Sequence, residues 1–562
     1  MALNFPASPV DGQIYYDNTT KMRYVYNGTL GIWNYSANND PAVNSTSTQI
    51  LFNDQGALVG NNKLTFDSAN SRMNVSADVS VTGNLTVTGT TIYANTQTLT
   101  VGDNILTLNG DLPNTTAPTQ NVGIEINRGS STNTAIQWDE SIDKWTLTID
   151  GVNYFQIADD GAEDLSLGYQ ALANNSGTNY NTAVGFKSLW KNTTGIRNVA
   201  VGYQALVSNT TGGNNVAVGY QALNTADKTL YNVSIGAYSL YNTTTGDYNV
   251  GVGYQALYYN NTGTRNIAVG FQSLVYNTYG QYNTAIGHSA MVSNVTGSNN
   301  VAVGYETLYI ADGTNYNVAV GFRTMRQTTN GDYNTAVGWA SLYSNTTGTN
   351  NTAIGYQALY LNTTGYSNIA IGKQALYTNT YGLSNIGIGT GDSNFVAALL
   401  ANTTGSQNVA IGTGALGVNN TGAKNIAVGY GSMVNNTYGI QNTVLGYQAL
   451  YTNTTGSNNV AIGLTALFSS NGTQYNTAVG SQAMRQTTTG DYNTAIGYNA
   501  LYANTTGIRN TAVGYNSLSS STYGLYNTAL GHLALATNTT GNSHTALGYA
   551  TLYLNTTGFQ NI

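Results

Sequence analysis

A 17-residue phrase, written most plainly as Asn351-Thr-Ala-Ile-Gly-Tyr-Gln-Ala-Leu-Tyr-Leu-Asn-Thr-Thr-Gly-Tyr-Ser367, recurs in tandem along most of this chain. Anchored on the glycine that closes Asn-x-Ala-Val/Ile-Gly, it runs from Gly168 to Gly548 through 23 anchors. Successive anchors such as Gly185, Gly202, Gly219, Gly236 and Gly253 stand 17 residues apart. One spacing departs: Gly389 and Gly412 are 23 apart, six too many. Thr390-Gly-Asp-Ser-Asn-Phe reads as an insertion near 390–398 at a turn, because Ala398-Leu-Leu-Ala-Asn-Thr-Thr-Gly405 falls back into step. A tandem array grows by adding units rather than cores, so a length of 562 residues does not imply several globular domains.

A repeat this short cannot hold a helical hairpin, which takes about 33 residues or more. It suits one coil of a parallel β-solenoid, with coils stacked at about 4.8 Å, so 23 of them make a rod of about 110 Å. Four positions are nearly invariant. The residue before the anchor is aliphatic (Val184, Ile235, Leu445), and the one before that is small, mostly Ala (Ala183, Ala353). Leu or Met stands four places after the anchor (Leu189, Met291, Leu359), and Asn four places before it, with Asp164 and His544 as the departures. Alternation along a strand puts Ala and the aliphatic on opposite faces. The aliphatic and the Leu/Met are expected inside, the Asn in a laddered turn, and the Ala column outside, where it suits packing against another chain. That predicts a homo-oligomer, best a trimer; a monomer with a bare Ala face is the alternative. A period of 17 and the lack of regularly placed Asp argue against pentapeptide or hexapeptide helices and a calcium-binding β-roll.

The flanking sequence is also all-β in texture. Residues 1–40 read as a small attachment module or cap, with strands in Gly12-Gln-Ile-Tyr-Tyr-Asp17, Met22-Arg-Tyr-Val-Tyr26 and Gly31-Ile-Trp-Asn-Tyr35. Three strands are few for an independent core, so a partner surface is expected. Residues 41–160 read as a β-rich shaft or hairpin region. Its strands are expected in Ser80–Tyr93, Thr98–Val101, Asn104–Asn109, Val122–Asn127, Thr134–Trp138 and Lys144–Asp150, with Pro113 and Pro118 in a loop. Asp139–Asp143 reads as a solvated acidic turn. Residues 161–562 are the solenoid, and no helix beyond a turn or two is expected anywhere.

The chemistry of the sequence is sparse. Charged residues make up 7 % of the chain. Residues 1–164 hold 17 acidic and 6 basic side chains, and the remainder 7 acidic and 11 basic with no basic stripe, which argues against nucleic acid. There is no cysteine, and the three histidines (His288, His532, His544) all fall at repeat positions, so neither thiol nor metal chemistry is supported. Carboxylates are too rare in the repeats for a paired-carboxylate site. No enzyme activity and no cofactor are expected. No signal peptide or membrane span is seen in the sequence, so membrane insertion is not expected and the Asn-x-Thr triplets are not read as glycosylation sites. The candidates for binding are tyrosines just after the anchor (Tyr254, Tyr356, Tyr447, Tyr498) and five places after it (Tyr258, Tyr360, Tyr451, Tyr502). Stacked aromatic columns can take sugar rings, or can serve packing between coils or chains.

Asn-x-Ala-Val/Ile-Gly in short tandem resembles the head of trimeric autotransporter adhesins, a parallel β-roll shared by three chains. The whole layout more closely resembles tail-fibre-like proteins of tailed phages, notably of cyanobacteria. The likeness lies in Phe5-Pro-x-x-Pro9-x-x-Gly-Gln-Ile-Tyr, in Gly83-Asn-Leu-Thr-Val-Thr-Gly-Thr-Thr with Asp103-Asn-Ile-Leu-Thr-Leu, and in Gly123-Ile-Glu-Ile-Asn-Arg-Gly with Trp138-Asp-Glu-x-x-Asp-Lys-Trp145. The resemblance implies an elongated homotrimeric fibre, assembled in the host cytoplasm as part of the virion. It would dock to a tail or baseplate protein through its N-terminal region and adhere to a host cell-surface glycan or protein. Because the sequence stops in mid-phrase at Gln560-Asn-Ile562, a capping or tip piece carrying the receptor site is expected beyond it. A non-viral trimeric surface adhesin is the alternative reading. An ice- or mineral-binding solenoid ranks lower, since the Thr places also admit Ser, Asn, Val and Tyr.

Overall fold

A computed structural model describes residues 5–18, 22–36, 47–54, 57–67, 69–70, 72–76, 78–82, 108, 120–140, 144–148, 154–158, 164–176 and 179–562. The strands expected in Ser80–Tyr93, Thr98–Val101 and Asn104–Asn109, the Pro113–Pro118 loop and the end of the acidic turn lie essentially outside these residues. The described residues contain strands and turns and no helix. The chain divides into two compact units, Met1–Leu106 and Thr107–Ile562.

The first unit holds two three-stranded antiparallel sheets. Strands β1 (Ile14–Asp17), β2 (Met22–Asn27) and β3 (Ile32–Ser36) form one. One cluster holds it: Phe5 stacks on Trp33 at 4.9 Å and meets Tyr24 edge-on at 5.2 Å, with Tyr15 at 5.1 Å. Ile14, Tyr16 and Ile32 are left exposed. Strands β4 (Ser47–Asp54), β5 (Ala57–Asp67) and β6 (Arg72–Val75) form the other sheet, in a stretch where the sequence reading placed no strand.

In the second unit, β7 (Val122–Arg128), β8 (Ser131–Asp139), β9 (Lys144–Thr148) and β10 (Tyr154–Ala158) pair antiparallel in chain order. β10 then pairs with β11 (Leu165–Leu167), the first strand of the repeats. From β11 to β33 (Thr545–Leu547) every strand is three residues long and parallel to the next. Thr352, Ala353 and Ile354 lie beside Ile369, Ala370 and Ile371, and the same register crosses the insertion, where Ile386, Gly387 and Ile388 lie beside Val409, Ala410 and Ile411. This is the parallel β-solenoid with a 17-residue coil that the repeat demands.

The facing of the strand corrects the sequence reading. Ala353 and its equivalents are fully buried, as are Leu359 and its equivalents, while the aliphatic before the anchor is outside: Ile354 is 39 % exposed and Leu445 49 %. The outward Ala column and inward aliphatic column expected from the sequence are therefore exchanged. The reason is volume. Leu359-type side chains and two Asn columns fill most of the narrow lumen, leaving room at the strand for a small side chain, Ala in most coils and Val444 at the largest. Where Gly387 replaces the Ala, an added Cβ would already stand 3.2 Å from Leu376 of the preceding coil.

The Asn positions form two internal ladders. Asn368 donates its backbone N–H to Asn351 Oδ1 (3.0 Å), and its side-chain amide to Asn351 Oδ1 (3.2 Å) and Gly382 O (2.8 Å). A second column, seven residues past the anchor, has Asn362 Nδ2 donating to Asn345 Oδ1 (2.8 Å) and Gly365 O (3.0 Å). Buried amides so paired escape the desolvation cost of an unsatisfied polar group. Asp164 occupies the first rung and accepts from the Asn181 N–H and from Asn175 Nδ2.

Three positions in most coils have left-handed backbone at non-glycine residues, as at Gln357 (φ 52°), Leu359 (φ 51°) and Ser367 (φ 56°). Such residues are disfavoured by about 1–2 kcal/mol each. Each donates its N–H to an adjacent coil, to Trp339 O, Ala375 O and Thr349 O at 2.9–3.0 Å, which offsets that cost. The anchor glycine serves close approach: a Cβ on Gly355 (φ +134°) would lie 2.6 Å from Gly372 O.

Candidate functional site

The coils carry their exposed chemistry as columns parallel to the ladder. Just after the anchor, rings stack from coil to coil. Tyr254, Phe271, His288, Tyr305, Phe322, Trp339 and Tyr356 form one run, with centroids 4.8–5.9 Å apart. That spacing follows from the coil rise, and near-parallel rings at about 5 Å are within favourable stacking range. Shorter runs are Tyr169–Tyr220, Tyr430–Tyr447 and Tyr498–Tyr549.

The eight tyrosines singled out from the sequence fall in two environments. Tyr254, Tyr356, Tyr447 and Tyr498 are exposed at 42–48 %. Tyr258, Tyr360, Tyr451 and Tyr502 are half-buried. Tyr360 is sandwiched between Tyr343 (5.1 Å) and Tyr377 (5.2 Å), so both of its faces are used within the column. Burial, and then the neighbouring tyrosine hydroxyls, push the Tyr258 and Tyr360 phenols above their ordinary range. Within a run the rings present edges to solvent. Ring faces without an aromatic neighbour occur at column ends, as where Tyr356 is followed in the next coil by Lys373 and Tyr447 by Leu464, and at Tyr502, whose equivalents in the adjoining coils are Arg485 and Ser519.

Beside the aromatic column runs an aliphatic one. The outward residues of each strand include Ile267, Ile286, Ile354, Ile371, Ile426, Leu445 and Leu530, all exposed. The residue before the anchor makes a single aliphatic column along the rod, widened by a second aliphatic where the strand opens on Val or Ile and bordered by Thr where it opens on Thr, as at Thr335, Thr352, Thr494 and Thr528. A run of exposed apolar side chains of that length is the kind of surface that marks an interaction face.

One ion-paired cluster in the repeats centres on Glu306. Glu306 accepts from Arg323 Nε (2.9 Å) and Arg326 Nε (2.8 Å) across adjacent coils. Burial raises the Glu306 pKa, but hydrogen bonds from Arg326, Tyr305 and Arg323 outweigh it and hold the carboxyl below its usual range. Among the described residues no cluster of three His, Asp or Glu side chains could hold a metal ion, and no helix is long and apolar enough to cross a membrane.

Of the histidines, His288 and His532 are members of the stacked aromatic column. His544 is a rung of the Asn ladder: its backbone N–H donates to Asn527 Oδ1 (3.0 Å), and its Nδ1 accepts from the Asn561 N–H (3.1 Å). Burial lowers its pKa below the ordinary value. The sequence reading missed the second Asn column and the outward aliphatic stripe. The first was visible as the Asn in Asn-Thr-Thr-Gly. The second was hidden by the choice of which strand face points inward.

No protein-family model, curated protein or solved structure matches the chain.

Proposed function

We propose that this chain is the shaft of a trimeric virion appendage, a phage tail fibre that holds a host-adhesion element away from the tail. The observation that carries this reading is the ladder itself: 23 parallel strands in unbroken register, stiffened by two internal amide columns, make a long spacer almost free of charge. The sequence resemblance across residues 1–150 supports the viral setting. The exposed aliphatic stripe supports association, because a second or third copy carries the same stripe at the same rung spacing and can match it coil for coil. This replaces the outward Ala column as the reason to expect a trimer. On this reading the sheet of β1–β3, with its exposed Ile14, Tyr16 and Ile32, docks to a tail or baseplate protein.

Light scattering of the purified chain tests the assembly: the expected mass is three times 59.2 kDa, and a monomer mass overturns the trimer. Electron micrographs of particles labelled at this protein test the setting, with label expected along tail fibres. Label on a cell envelope instead favours the non-viral adhesin.

A further inference from the structure

The insertion is the one place where the rod stops repeating, and the surface beneath it has been cleared to receive it. Two places after the anchor, glycine occurs in three consecutive coils, at Gly391, Gly414 and Gly431, and in no other coil. Five places after the anchor, glycine occurs only at Gly417. These replacements accommodate the loop. A Cβ on Gly414 would stand 2.7 Å from the Phe395 side chain, one on Gly431 3.0 Å from its ring, and one on Gly417 2.6 Å from Val396. Phe395 also meets Tyr430 edge-on at 4.8 Å, and Gly414 donates its N–H to Val396 O at 2.9 Å.

The loop tip is closed on itself. Asp392 Oδ1 accepts from the N–H groups of Asn394 and Phe395, each at 2.8 Å, and those two bonds hold its carboxyl below the usual range. Asn394 Nδ2 donates to the Tyr430 hydroxyl at 3.1 Å. Between this loop and the preceding coil lies an open cleft of about 550 Å³. Its walls include Lys373, Gln374, Asp392, Ser393, Asn394 and Phe395. Lys373 takes the place that rings hold in most other coils, so the aromatic column is interrupted where the cleft begins.

A cleft of this size with a few convergent polar groups fits a small ligand rather than a protein chain. Asp392 Oδ1 and Asn394 Nδ2 are taken up within the loop, so the groups left to a ligand are the Lys373 ammonium, the Gln374 carboxamide, the Ser393 hydroxyl and the Asn394 carbonyl oxygen beside the Phe395 ring: donors and acceptors together, with Lys373 and Asp392 opposite in charge. A ligand that both donates and accepts through adjacent groups, with an apolar ring face, matches that set. We infer that the insertion builds a lateral binding site for a neutral pyranose unit of a surface glycan. The inference rests on the reading of the chain as an adhesive fibre, and adds that the shaft itself contacts sugar.

Saturation-transfer NMR of the full chain with methyl glucoside, galactoside and mannoside, and with methyl glucuronide as the acidic counterpart, tests it. Transfer to at least one neutral pyranoside is expected. Deleting residues 391–396 leaves Gly389-Thr390-Ala397-Ala398-Leu399 in phase with the repeat and should abolish it. Should that deletion fail to fold, the double variant Lys373→Ala, Ser393→Ala, which alters exposed side chains only, should weaken binding by about tenfold, the worth of one or two hydrogen bonds. No transfer to any neutral sugar, transfer that survives the deletion, affinity unchanged in the double variant, or transfer to the glucuronide alone would overturn the inference. A monomer in light scattering would overturn the trimer, and label away from tail fibres the virion reading, while leaving these outcomes as they stand, so the failures are distinguishable.

Discussion

The sheet of β1–β3 and the solenoid solve the same problem, a β surface with little core, in opposite ways. The N-terminal sheet concentrates its packing in one cluster around Phe5, Tyr15, Tyr24 and Trp33, each residue used once. The solenoid has no centre: a coil buries a small residue, mostly Ala, at the strand and a second one three places after the anchor, one Leu or Met and, in most coils, two Asn, and the next coil repeats them. A cluster fails as a whole when one member is lost. A ladder loses one rung, and its neighbours still hold each other, because repeat stability is close to a sum of nearest-neighbour terms.

The substitutions that separate these behaviours differ in expected size. The largest contrast lies between adjacent residues of one strand. Ala353→Glu puts a carboxylate in the lumen without a partner and should cost about 4 kcal/mol, read as a fall in the urea midpoint. Ile354→Glu points outward and should leave the fold within about 1 kcal/mol while lowering the light-scattering mass. Equal effects on the fold would restore the opposite facing. Phe5→Ala should cost about 3 kcal/mol and abolish hydrogen-exchange protection throughout β1–β3, with the solenoid unaffected. Protection surviving in part of that sheet would mean that the cluster is not its single support.

In the rod, Asn351→Ala removes the acceptor for the Asn368 amides and the donor to Gly365 O, and should cost about 3 kcal/mol. Its exchange signature should stay within the adjoining coils. Tyr356→Ala, which removes one exposed ring from a stack, should cost about 1 kcal/mol.

The smallest effect is that of pH on His544. Its folded pKa lies below the unfolded value because burial disfavours the charged ring. The unfolded state therefore binds the proton more readily, and stability is full above about pH 6.5. It is lost as pH falls from there towards the folded pKa. Hydrogen exchange at Ser543–Thr545 should accelerate at pH 5 relative to pH 7.5, beyond the intrinsic change, and His544→Asn should remove that dependence.

Much of this was legible in the sequence, for reasons that particular residues make plain. A fixed 17-residue period with Asn, Ala, Gly and Leu at constant offsets leaves little but a stacked coil. Alternating aromatics separated by Asp17-Asn18 and Asn27-Gly28 mark β1 to β3. The facing of the repeat strand was not legible. In a strand of three residues, alternation says that Ala353 and Ile354 oppose each other, but not which is inside. That is decided by the lumen volume left beside Leu359 and two Asn columns, a tertiary quantity. The left-handed backbone at Gln357 and Leu359 was likewise hidden, since neither residue type advertises it and the inter-coil hydrogen bonds that impose it appear only after stacking. The sequence alone gives no reason for glycine at 414, 417 and 431; the reason is the packing of Phe395 and Val396 onto them.

The central claim is that each 17 residues contribute one coil and one strand spacing to the rod. Deleting residues 266–350, five whole copies, joins Arg265 to Asn351 in phase. Cryo-electron microscopy of the intact and shortened chains should then show a rod shorter by about 24 Å, five strand spacings, with unchanged cross-section. A rod of unchanged length, or a shortening far from that value, would contradict the coil-per-repeat architecture.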